Sequence, residues 1–250
     1  SFNIKKKTTI NAGNSGTLAR LILGLLVKSK FTIKLIGDRS LSKRDFARVI
    51  KPLRLFGANL ESKKNLLPIK ISGSEFLRPI VYNERIGSAQ VKSCLLLCAL
   101  NTPGKTIINS RISRNHTELM LKFLKYPIKI KKNKKFDKII IEGLKQFNAF
   151  KYNVPGDISS AAFFIVLTLL SEKSHIIIEN VNVNKTRTGI ITILNKMGAK
   201  IKLKNKKNYN GEDIANIYVK SNKNLKSIDC PSSLNSAAID EFSIIFLVAA

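Results

Sequence analysis

The sequence predicts an α/β fold with α+β character, built from repeated β-α-β-α-β-β units, and three observations support this prediction. Three stretches repeat one order of patterns: small polar residues leading into an apolar helix, a β-rich segment, a polar turn with a second helix, and a basic hairpin. The first helices end at Leu26, Leu100 and Leu170, so the repeats are 74 and 70 residues apart (100 − 26 and 170 − 100). Alternating strands and helices are typical of layered domains. We therefore expect domain-sized repeats rather than solenoid units of roughly 20 to 50 residues.

The first helix of each repeat follows small polar residues, which are a start signal for helices. The three segments are NSGTLARLILGLL, GSAQVKSCLLLCAL and GDISSAAFFIVLTLL. Because they are apolar nearly all round, we expect all three helices to be fully buried. The uncovered N–H groups at a helix start also attract anions, so the stretch NAGNSGTLAR at residues 11–20 is either an ordinary helix cap or a phosphate site.

The rest of each repeat has a β-rich segment, a second helix and a hairpin. The β-rich segments are FTIKLIGD, KTIINS and HIIIENV. The second helices, SKRDFARVIKPLRLFGA, RNHTELMLKFLKY and TRTGIITILNKMGA, each have a polar face that we expect to be exposed. The hairpins are NLESKKNLLPIKISG, PIKIKKNKKFDKIIIEG and KIKLKNKKNYNGEDIANIYVKS. The segment IDEFSIIFLVAA has the pattern with which each repeat begins, so the chain contains about three and a half repeats.

A crossover segment, EGLKQFNAFKYNVPGD, separates the second repeat from the third. Its aromatic residues, proline and glycine are typical of a linker. We therefore predict two partial lobes, residues 1–153 and residues 154–250. Asp157, Ser159 and Ser160 then lie at the start of the first helix of the second lobe.

The formal charge of +28, from 44 basic and 16 acidic residues, raises the question of a polyanionic partner. The densest basic runs are KIKKNKKFDK and KIKLKNKKNYNG, where solvated hairpins are expected. An RNA-binding module would interleave aromatic residues with these lysines, and the hairpins offer only Phe136 and Tyr209. We therefore expect no specific nucleic acid partner, with a non-enzymatic RNA-binding module as an alternative.

Apolar runs and cysteines narrow the class of protein further. No apolar run reaches the roughly 18 to 20 residues needed to cross a bilayer, so no membrane contact is expected. Three cysteines are too few for a disulfide framework. Cys94 and Cys98 lie four residues apart in VKSCLLLCAL without further ligands nearby. We expect them to be buried free thiols of a reducing compartment rather than a metal site.

Seven stretches resemble successive motifs of the 5-enolpyruvylshikimate 3-phosphate synthase family, in the family's order and over nearly the whole chain. They are NAGNSGTLAR, GDRSLSKRDFARVIKPLRLFGA, GSAQVKSCLLLCAL, SRNHTELML, VPGDISSAAFF, NKTRTGIITILNKMGAKI and IDEFSIIFLVAA. The resemblance implies a two-domain enolpyruvyl transferase fold with three copies of the repeat in each domain. It also implies transfer of the enolpyruvyl (carboxyvinyl) group of phosphoenolpyruvate to the 5-hydroxyl of shikimate 3-phosphate, with release of phosphate. That reaction belongs to the shikimate pathway to chorismate and the aromatic amino acids.

The resemblance places three residues against phosphoenolpyruvate. Gly16 matches the glycine of the N-x-G-T turn, where a side chain would occupy space that the ligand needs. Arg44 in SLSKRDF matches an arginine whose planar fork suits a carboxylate or phosphate, and the alternative is a surface helix residue. Gln90 in GSAQVKS matches a residue that reaches both substrates. Arg20 lies on the helix itself and is interpreted as structural, and Asp45 stands where the family often has proline.

The residues matching the family's contacts to shikimate 3-phosphate are Ser88, Ala89, Gln90, Arg114 and Asp240. Asp240 in AAIDEF matches the aspartate that accepts the proton of the reacting hydroxyl, and the resemblance makes it the catalytic residue. A hydroxyl is a poor nucleophile unless a base takes its proton. Aspartate at a helix start is also a common N-cap, which stays as the alternative. Ser110 is a weaker substrate candidate, His116 is interpreted as a hydrogen-bonded turn residue, and Glu241 as the partner of a basic residue.

The resemblance also bears on what these residues can do alone. The family's lysine-serine segment would precede Ser1, and further charged site residues would follow Ala250. We therefore interpret the sequence as an internal fragment that is inactive alone. No cofactor and no metal are implied, and a cytoplasmic monomer is expected. The nearest alternative enzyme is a UDP-N-acetylglucosamine enolpyruvyl transferase, but SAQVKS and SRNHTE favour shikimate phosphate as acceptor.

Overall fold

The predicted repeats are present, and the first two have a complete set of strands. The computed structural model describes residues 6–222 and 224–250. The first repeat consists of β1 (Thr8–Asn11), α1 (Gly16–Leu26), β2 (Ile33–Ile36), the short helix α2 (Arg39–Ser42), α3 (Ala47–Leu55), β3 (Asn59–Ser62), a 3-10 turn (Lys63–Asn65) and β4 (Ile69–Ser72). The second consists of β5 (Val81–Glu84), α4 (Ala89–Leu100), β6 (Lys105–Arg111), α5 (His116–Phe123), β7 (Ile128–Lys132) and β8 (Phe136–Glu142).

The third repeat begins directly with a helix. It consists of α6 (Ile158–Leu170), β9 (His175–Asn182), α7 (Gly189–Lys196), β10 (Lys202–Tyr209) and β11 (Glu212–Lys220). The start of the fourth repeat consists of a 3-10 turn (Ser232–Leu234), α8 (Asn235–Ala238) and α9 (Phe242–Ala249).

Each repeat forms its own sheet, and the three sheets share one strand order. The first two sheets have the orders β1-β2-β4-β3 and β5-β6-β8-β7. In both, the first pair of strands is parallel and the other pairs are antiparallel, as expected for a β-α-β unit followed by a hairpin. The third sheet has the order β9-β11-β10, and a single parallel bridge between Gly156 and Val181 takes the place of a first strand. The shared topology confirms the predicted repeat.

The chain divides into two compact units. One contains the described residues up to Ile112 together with Leu124–Phe147, and the other contains Ser113–Phe123 together with Asn148–Ala250. The helix α5 therefore groups with the third repeat, although it belongs to the second repeat in chain order. The lobe border proposed at residues 153 and 154 stays a prediction.

In the first unit, α1 and α4 approach each other closely because Gly24 has no side chain. A Cβ atom at Gly24 would collide with the backbone carbonyl of Cys94. The same packing helps to bury α4, whose thiols Cys94 and Cys98 are buried and free, as predicted. Burial raises the pKa of Cys98 to about 12, which keeps that thiol protonated at neutral pH.

The expectation that all three first helices are fully buried is wrong for α1, in which Leu18 is 43% exposed, and more clearly for α6. One face of α6, which includes Ala162, Ile165 and Leu169, packs into the core of the second unit. The opposite face leaves Phe163 and Leu167 exposed by 66% and 63%. A helix that is apolar all round is buried only where a second layer covers each face, and in the described residues a layer covers only one face of α6.

We expect the change Gly24→Ala to destabilise the first unit. The new methyl group would meet a backbone rather than a movable side chain, so the two helices must separate at a cost of about 1–3 kcal/mol. The effect is expected although alanine has the higher helix propensity by about 1 kcal/mol. Urea unfolding measures the change, with Gly156→Ala as the control because a Cβ at Gly156 would meet Val181 at an ordinary 3.5 Å. Equal unfolding midpoints for the two variants would contradict the proposed packing.

Candidate active site

The polar stretch before α1 forms a tight turn that ends in a capped helix. Gly13 has a left-handed backbone with φ of +54°, and its N–H donates to Oδ1 of Asn11 at 2.9 Å. The hydroxyl of Ser15 accepts from the N–H of Leu18 at 3.1 Å and caps α1. Gly16, the first residue of α1, is buried directly after this cap. Ser15 is therefore an ordinary helix cap, as one of the two interpretations of this stretch expected. This cap does not exclude an anion at Gly16, which stays a prediction.

Two arginines converge on Gly16. A Cβ atom there would lie 2.8 Å from Nη1 of Arg20 and 3.2 Å from Nη1 of Arg44. A side chain at this position would displace these guanidinium groups, so glycine allows both arginines to lie against the start of the helix. The result is a concentration of positive charge beside the first turn of a helix, where the backbone N–H groups also favour an anion.

The guanidinium of Arg44 is held by a chain of polar groups. Nη2 of Arg44 donates to Oδ1 of Asn14 at 3.1 Å, and Nδ2 of Asn14 donates to Oδ2 of Asp38 at 2.6 Å. Asp38 itself caps α2 by accepting from the N–H of Leu41 at 2.7 Å. Arg44 is thus oriented by a side-chain amide rather than bound to a carboxylate, which leaves its charge available to a ligand. Sequence reasoning missed Asn14 and Asp38.

Gln90 reaches the start of α1 from the start of α4. The hydroxyl of Ser88 caps α4 by accepting from the N–H of Val91 at 3.3 Å, so that Ala89 and Gln90 form the first turn. The amide oxygen of Gln90 accepts from Nη1 of Arg20 at 3.0 Å, and its Nε2 donates to the hydroxyl of Thr17 at 2.8 Å. The starts of two helices from two repeats therefore meet in one polar cluster.

The second unit contains the pair Arg114 and Asp240. Nη2 of Arg114 donates to Oδ2 of Asp240 at 2.6 Å, in an ion pair between residues 126 positions apart in the chain. The side chain of Asp240 is 48% exposed. The helix α9 begins after Glu241 without a side-chain cap, so the N-cap interpretation of Asp240 is wrong. Its carboxylate instead binds a cation and stays accessible to solvent.

A buried carboxylate fixes the first turn of α5, which begins two residues after Arg114. Oε1 of Glu212 lies 2.5 Å from Nδ1 of His116, and Oε2 accepts from the amides of Asn182 and Asn184 at 3.1 Å each. Burial raises the pKa of Glu212, but the hydrogen bonds from His116 and the two amides outweigh it, so the pKa lies below its ordinary value. His116 is hydrogen-bonded, as predicted, but it is the first residue of α5 rather than a turn residue. No motif in the sequence pointed to Glu212 as its partner.

A second polar chain lies beside Asp240. Nη2 of Arg187 donates to Asp157 at 2.8 Å and to the hydroxyl of Ser159 at 2.7 Å. Ser159 in turn donates to the buried carboxylate of Glu241. We expected Glu241 to pair with a basic residue, but in the described residues it accepts a hydrogen bond from the hydroxyl of Ser159. Arg187 is linked to Glu241 through Ser159, and this chain of hydrogen bonds holds Glu241 in place next to Asp240.

We expect the stabilising effect of Glu212 to depend on pH. Because its folded-state pKa is depressed, the carboxylate stabilises the fold above the ordinary pKa of 4.5, and this contribution is lost as the pH falls through the folded-state value. The change Glu212→Gln is therefore expected to cost about 1–3 kcal/mol at pH 7 and progressively less below pH 4.5. Urea unfolding across this pH range measures the difference, with the exposed Glu179→Gln as control. A cost that stays constant down to pH 3 would contradict this account of Glu212.

The structure thus places the predicted site residues in two clusters, one in each compact unit. The first unit holds Gly16, Arg44, Ser88, Ala89 and Gln90, and the second holds Arg114 and Asp240. In the first unit Arg20, Asn14 and Thr17 join the cluster. The roles of these residues toward substrates stay predictions.

The basic hairpins offer little for stacking of nucleobases. The ring of Tyr209 packs against Tyr152 with centroids 5.9 Å apart, and its hydroxyl accepts from the N–H of Asn153 at 3.1 Å. Lys206 is paired with Asp213 at 2.8 Å. These contacts give the RNA-binding alternative no support.

The described residues 6–222 and 224–250 offer neither a cluster of metal ligands nor a single membrane-spanning helix. No group of three or more His, Cys, Asp or Glu side chains there is placed to hold a metal ion. No single helix there is long and apolar enough to cross a membrane. The segments Ser232–Ala238 and Phe242–Ala249 are long and apolar enough for a membrane span only when taken together, and a bend of 120° separates them.

Comparison with known proteins gives a consistent result. The family model of EPSP synthase (3-phosphoshikimate 1-carboxyvinyltransferase) matches residues 1–250. A relative named 3-phosphoshikimate 1-carboxyvinyltransferase from Ruthia magnifica subsp. Calyptogena magnifica is 47% identical over 246 residues, which cover 98% of this chain and 55% of the relative. A relative of the same name from Legionella pneumophila (strain Corby) is 44% identical over 242 residues, covering 96% of this chain and 55% of the relative.

Solved structures agree with the sequence matches. The EPSP synthase from Acinetobacter baumannii superposes with a TM-score of 0.83 at 40% identity, covering 97% of this chain and 54% of that chain. This similarity confirms the predicted α/β enolpyruvyl transferase fold. The chain spans about half the length of the curated relatives it matches, at 55% of each. The match of the family model over all 250 residues shows that the chain belongs to the EPSP synthase family.

Proposed function

We propose that the protein containing these residues transfers the enolpyruvyl group of phosphoenolpyruvate to the 5-hydroxyl of shikimate 3-phosphate and releases phosphate. The observation that carries the proposal is the family match over the whole chain. In this reaction the hydroxyl oxygen forms a bond to the enolpyruvyl carbon, the hydroxyl proton passes to a base, and the carbon–oxygen bond to phosphate breaks. The family match favours this acceptor over a UDP-amino sugar.

In this proposal, the cluster in the first unit binds phosphoenolpyruvate. The ligand carries a carboxylate and a phosphate, both of which suit the fork of Arg44. The absence of a side chain at Gly16 lets the guanidinium groups of Arg20 and Arg44 lie beside the first turn of α1, where its N–H groups add to their positive field. The amide of Gln90 supplies a neutral donor to the same ligand.

The acceptor shikimate 3-phosphate is assigned to Arg114, Asp240, and the segment Ser88, Ala89 and Gln90. Arg114 forms an ion pair with Asp240. A phosphate group on Arg114 would compete for this pairing and free the carboxylate of Asp240 to accept the proton of the 5-hydroxyl. The ion pair thus joins the proposed phosphate-binding group to the proposed base.

The experiment that tests the proposal uses a chimera in which residues 1–250 replace the matching segment of the Ruthia magnifica relative. Phosphate release is measured with phosphoenolpyruvate and shikimate 3-phosphate, and with UDP-N-acetylglucosamine as the competing acceptor. The proposal predicts turnover with shikimate 3-phosphate only. A folded chimera without turnover, beside an active parent relative, would contradict the proposal, and turnover with the UDP-sugar would favour the alternative enzyme. The monomeric state and cytoplasmic location stay predictions.

A further inference from the structure

Arg20 is a buried arginine at the centre of the cluster in the first unit. It is only 6% exposed. Besides Gln90, Nη1 of Arg20 donates to the carbonyl of Gly16 at 3.4 Å, and Nη2 donates to the carbonyl of Asp45 at 3.5 Å. Its guanidinium carbon lies 5.0 Å above the centre of the Phe46 ring. In the described residues, its Nε atom is buried without a hydrogen-bond partner.

The charge of Arg20 is costly in this position. Its hydrogen bonds go to two carbonyl groups and an amide oxygen, none of which carries a full negative charge. Burial lowers the pKa of Arg20, and the positive charges of Arg48 and Arg44 lower it further. A methionine would fill similar space without this penalty, so the purely structural interpretation of Arg20 does not account for its charge.

The hydrogen bond from Arg20 determines which way the amide of Gln90 points. A guanidinium has only donors, so the group of Gln90 that faces it must be the amide oxygen. The NH₂ group then points the other way, and one of its two hydrogens is used by the hydroxyl of Thr17. The second hydrogen remains as a donor. If the amide were turned over, it would present its oxygen to the same space and repel an anion.

We propose that Arg20 is a positioning residue of the phosphoenolpyruvate site, which holds the amide of Gln90 with its NH₂ group toward the anionic ligand. The inference rests on the proposed function for the identity of the ligand. Arg20 acts through Gln90 and through the electrostatic field beside Gly16 and Arg44. Its charge lowers the energy of a bound anion, which in turn offsets the cost of burying the arginine.

The kinetic test compares Arg20→Met and Arg20→Lys in the chimera with wild type. Loss of a charged hydrogen-bond partner is expected to raise the KM for phosphoenolpyruvate about tenfold or more, with a smaller rise in the KM for shikimate 3-phosphate, which is also assigned to Gln90. Arg20→Lys keeps the charge and is expected to recover part of the loss. The matched control is Arg54→Met, since Arg54 also donates to a backbone carbonyl, that of Leu60 at 3.0 Å. An unchanged KM for phosphoenolpyruvate in an active Arg20→Met chimera would overturn the inference while leaving the proposed function intact.

A second measurement does not depend on turnover. In the 250-residue chain, the side-chain NH₂ signals of Gln90 are followed by NMR while phosphoenolpyruvate is added. In the wild type we expect the two NH₂ signals to shift when the ligand is added, and in Arg20→Met we expect this shift to be lost. Identical responses in the two proteins would overturn the role of Arg20. An inactive chimera with the expected NMR difference would contradict the proposed reaction but support the assignment of Arg20 to an anion site.

Discussion

The change Asp240→Asn in the chimera is expected to lower kcat by about 10²- to 10⁴-fold, which is the range for a general base. Asparagine keeps the size of the side chain but does not accept a proton, so the 5-hydroxyl loses its base. The change also removes the carboxylate that binds Arg114 at 2.6 Å. Arg114 is then free for the substrate phosphate, so the KM for shikimate 3-phosphate is expected to stay constant or fall. Steady-state kinetics with both substrates measure this split.

The matched control for Asp240 is Asp213→Asn. Asp213 also forms an ion pair in the second unit, with Lys206 at 2.8 Å, but it lies on a basic hairpin. This control is expected to leave kcat and both KM values within about twofold of wild type, since surface changes are usually small. If Asp240→Asn kept the kcat of wild type, Asp240 would not be the base.

The change Arg44→Met in the chimera is expected to raise the KM for phosphoenolpyruvate about 10- to 100-fold, the equivalent of a charged hydrogen bond of about 1.5–3 kcal/mol. Arg44 is held by Asn14 and carries no carboxylate partner among its hydrogen bonds in the described residues, so its charge is available to the ligand. Methionine removes both the charge and the planar fork. Arg44→Lys keeps the charge alone and is expected to give an intermediate KM.

The exposed Arg39→Met provides the control for Arg44, because it removes the same charge from the neighbouring helix α2. It is expected to change the KM for phosphoenolpyruvate by less than about threefold, an effect that salt screens. A similar increase for both arginine variants would mean that Arg44 acts only through the general field of the basic surface.

The order of elements was predictable because it depends on local patterns. Small polar residues before each first helix predicted where these helices begin, and in the structure the side chains of Ser15, Ser88 and Asp157 cap them. Lysine-rich segments between apolar strands predicted hairpins, which form in each repeat. The exposure of Phe163 on α6 was not predictable, because composition shows that a surface is apolar and not whether another layer covers it.

In the candidate site too, some residues could be predicted from local sequence motifs and others could not. Residues such as Gly16 and Arg44 lie in short motifs, so a resemblance to a family was enough to select them. The supporting partners are set by contacts between distant parts of the chain. Asn14 meets Arg44 30 residues away, and Arg20 meets Gln90 70 residues away. No local pattern marks such pairs. The fold of the first repeat brings Asn14 to Arg44, and the packing of α1 against α4 brings Arg20 to Gln90.

The most direct test of the assignments is a crystal structure of the chimera soaked with phosphoenolpyruvate and shikimate 3-phosphate. The account predicts that Arg44 and the NH₂ group of Gln90 lie within about 3.2 Å of oxygen atoms of phosphoenolpyruvate. It also predicts the shikimate phosphate on Arg114, with the carboxylate of Asp240 released from that arginine and facing the 5-hydroxyl. Ligand density confined to the lysine-rich hairpins, with Arg114 still paired to Asp240, would contradict the account.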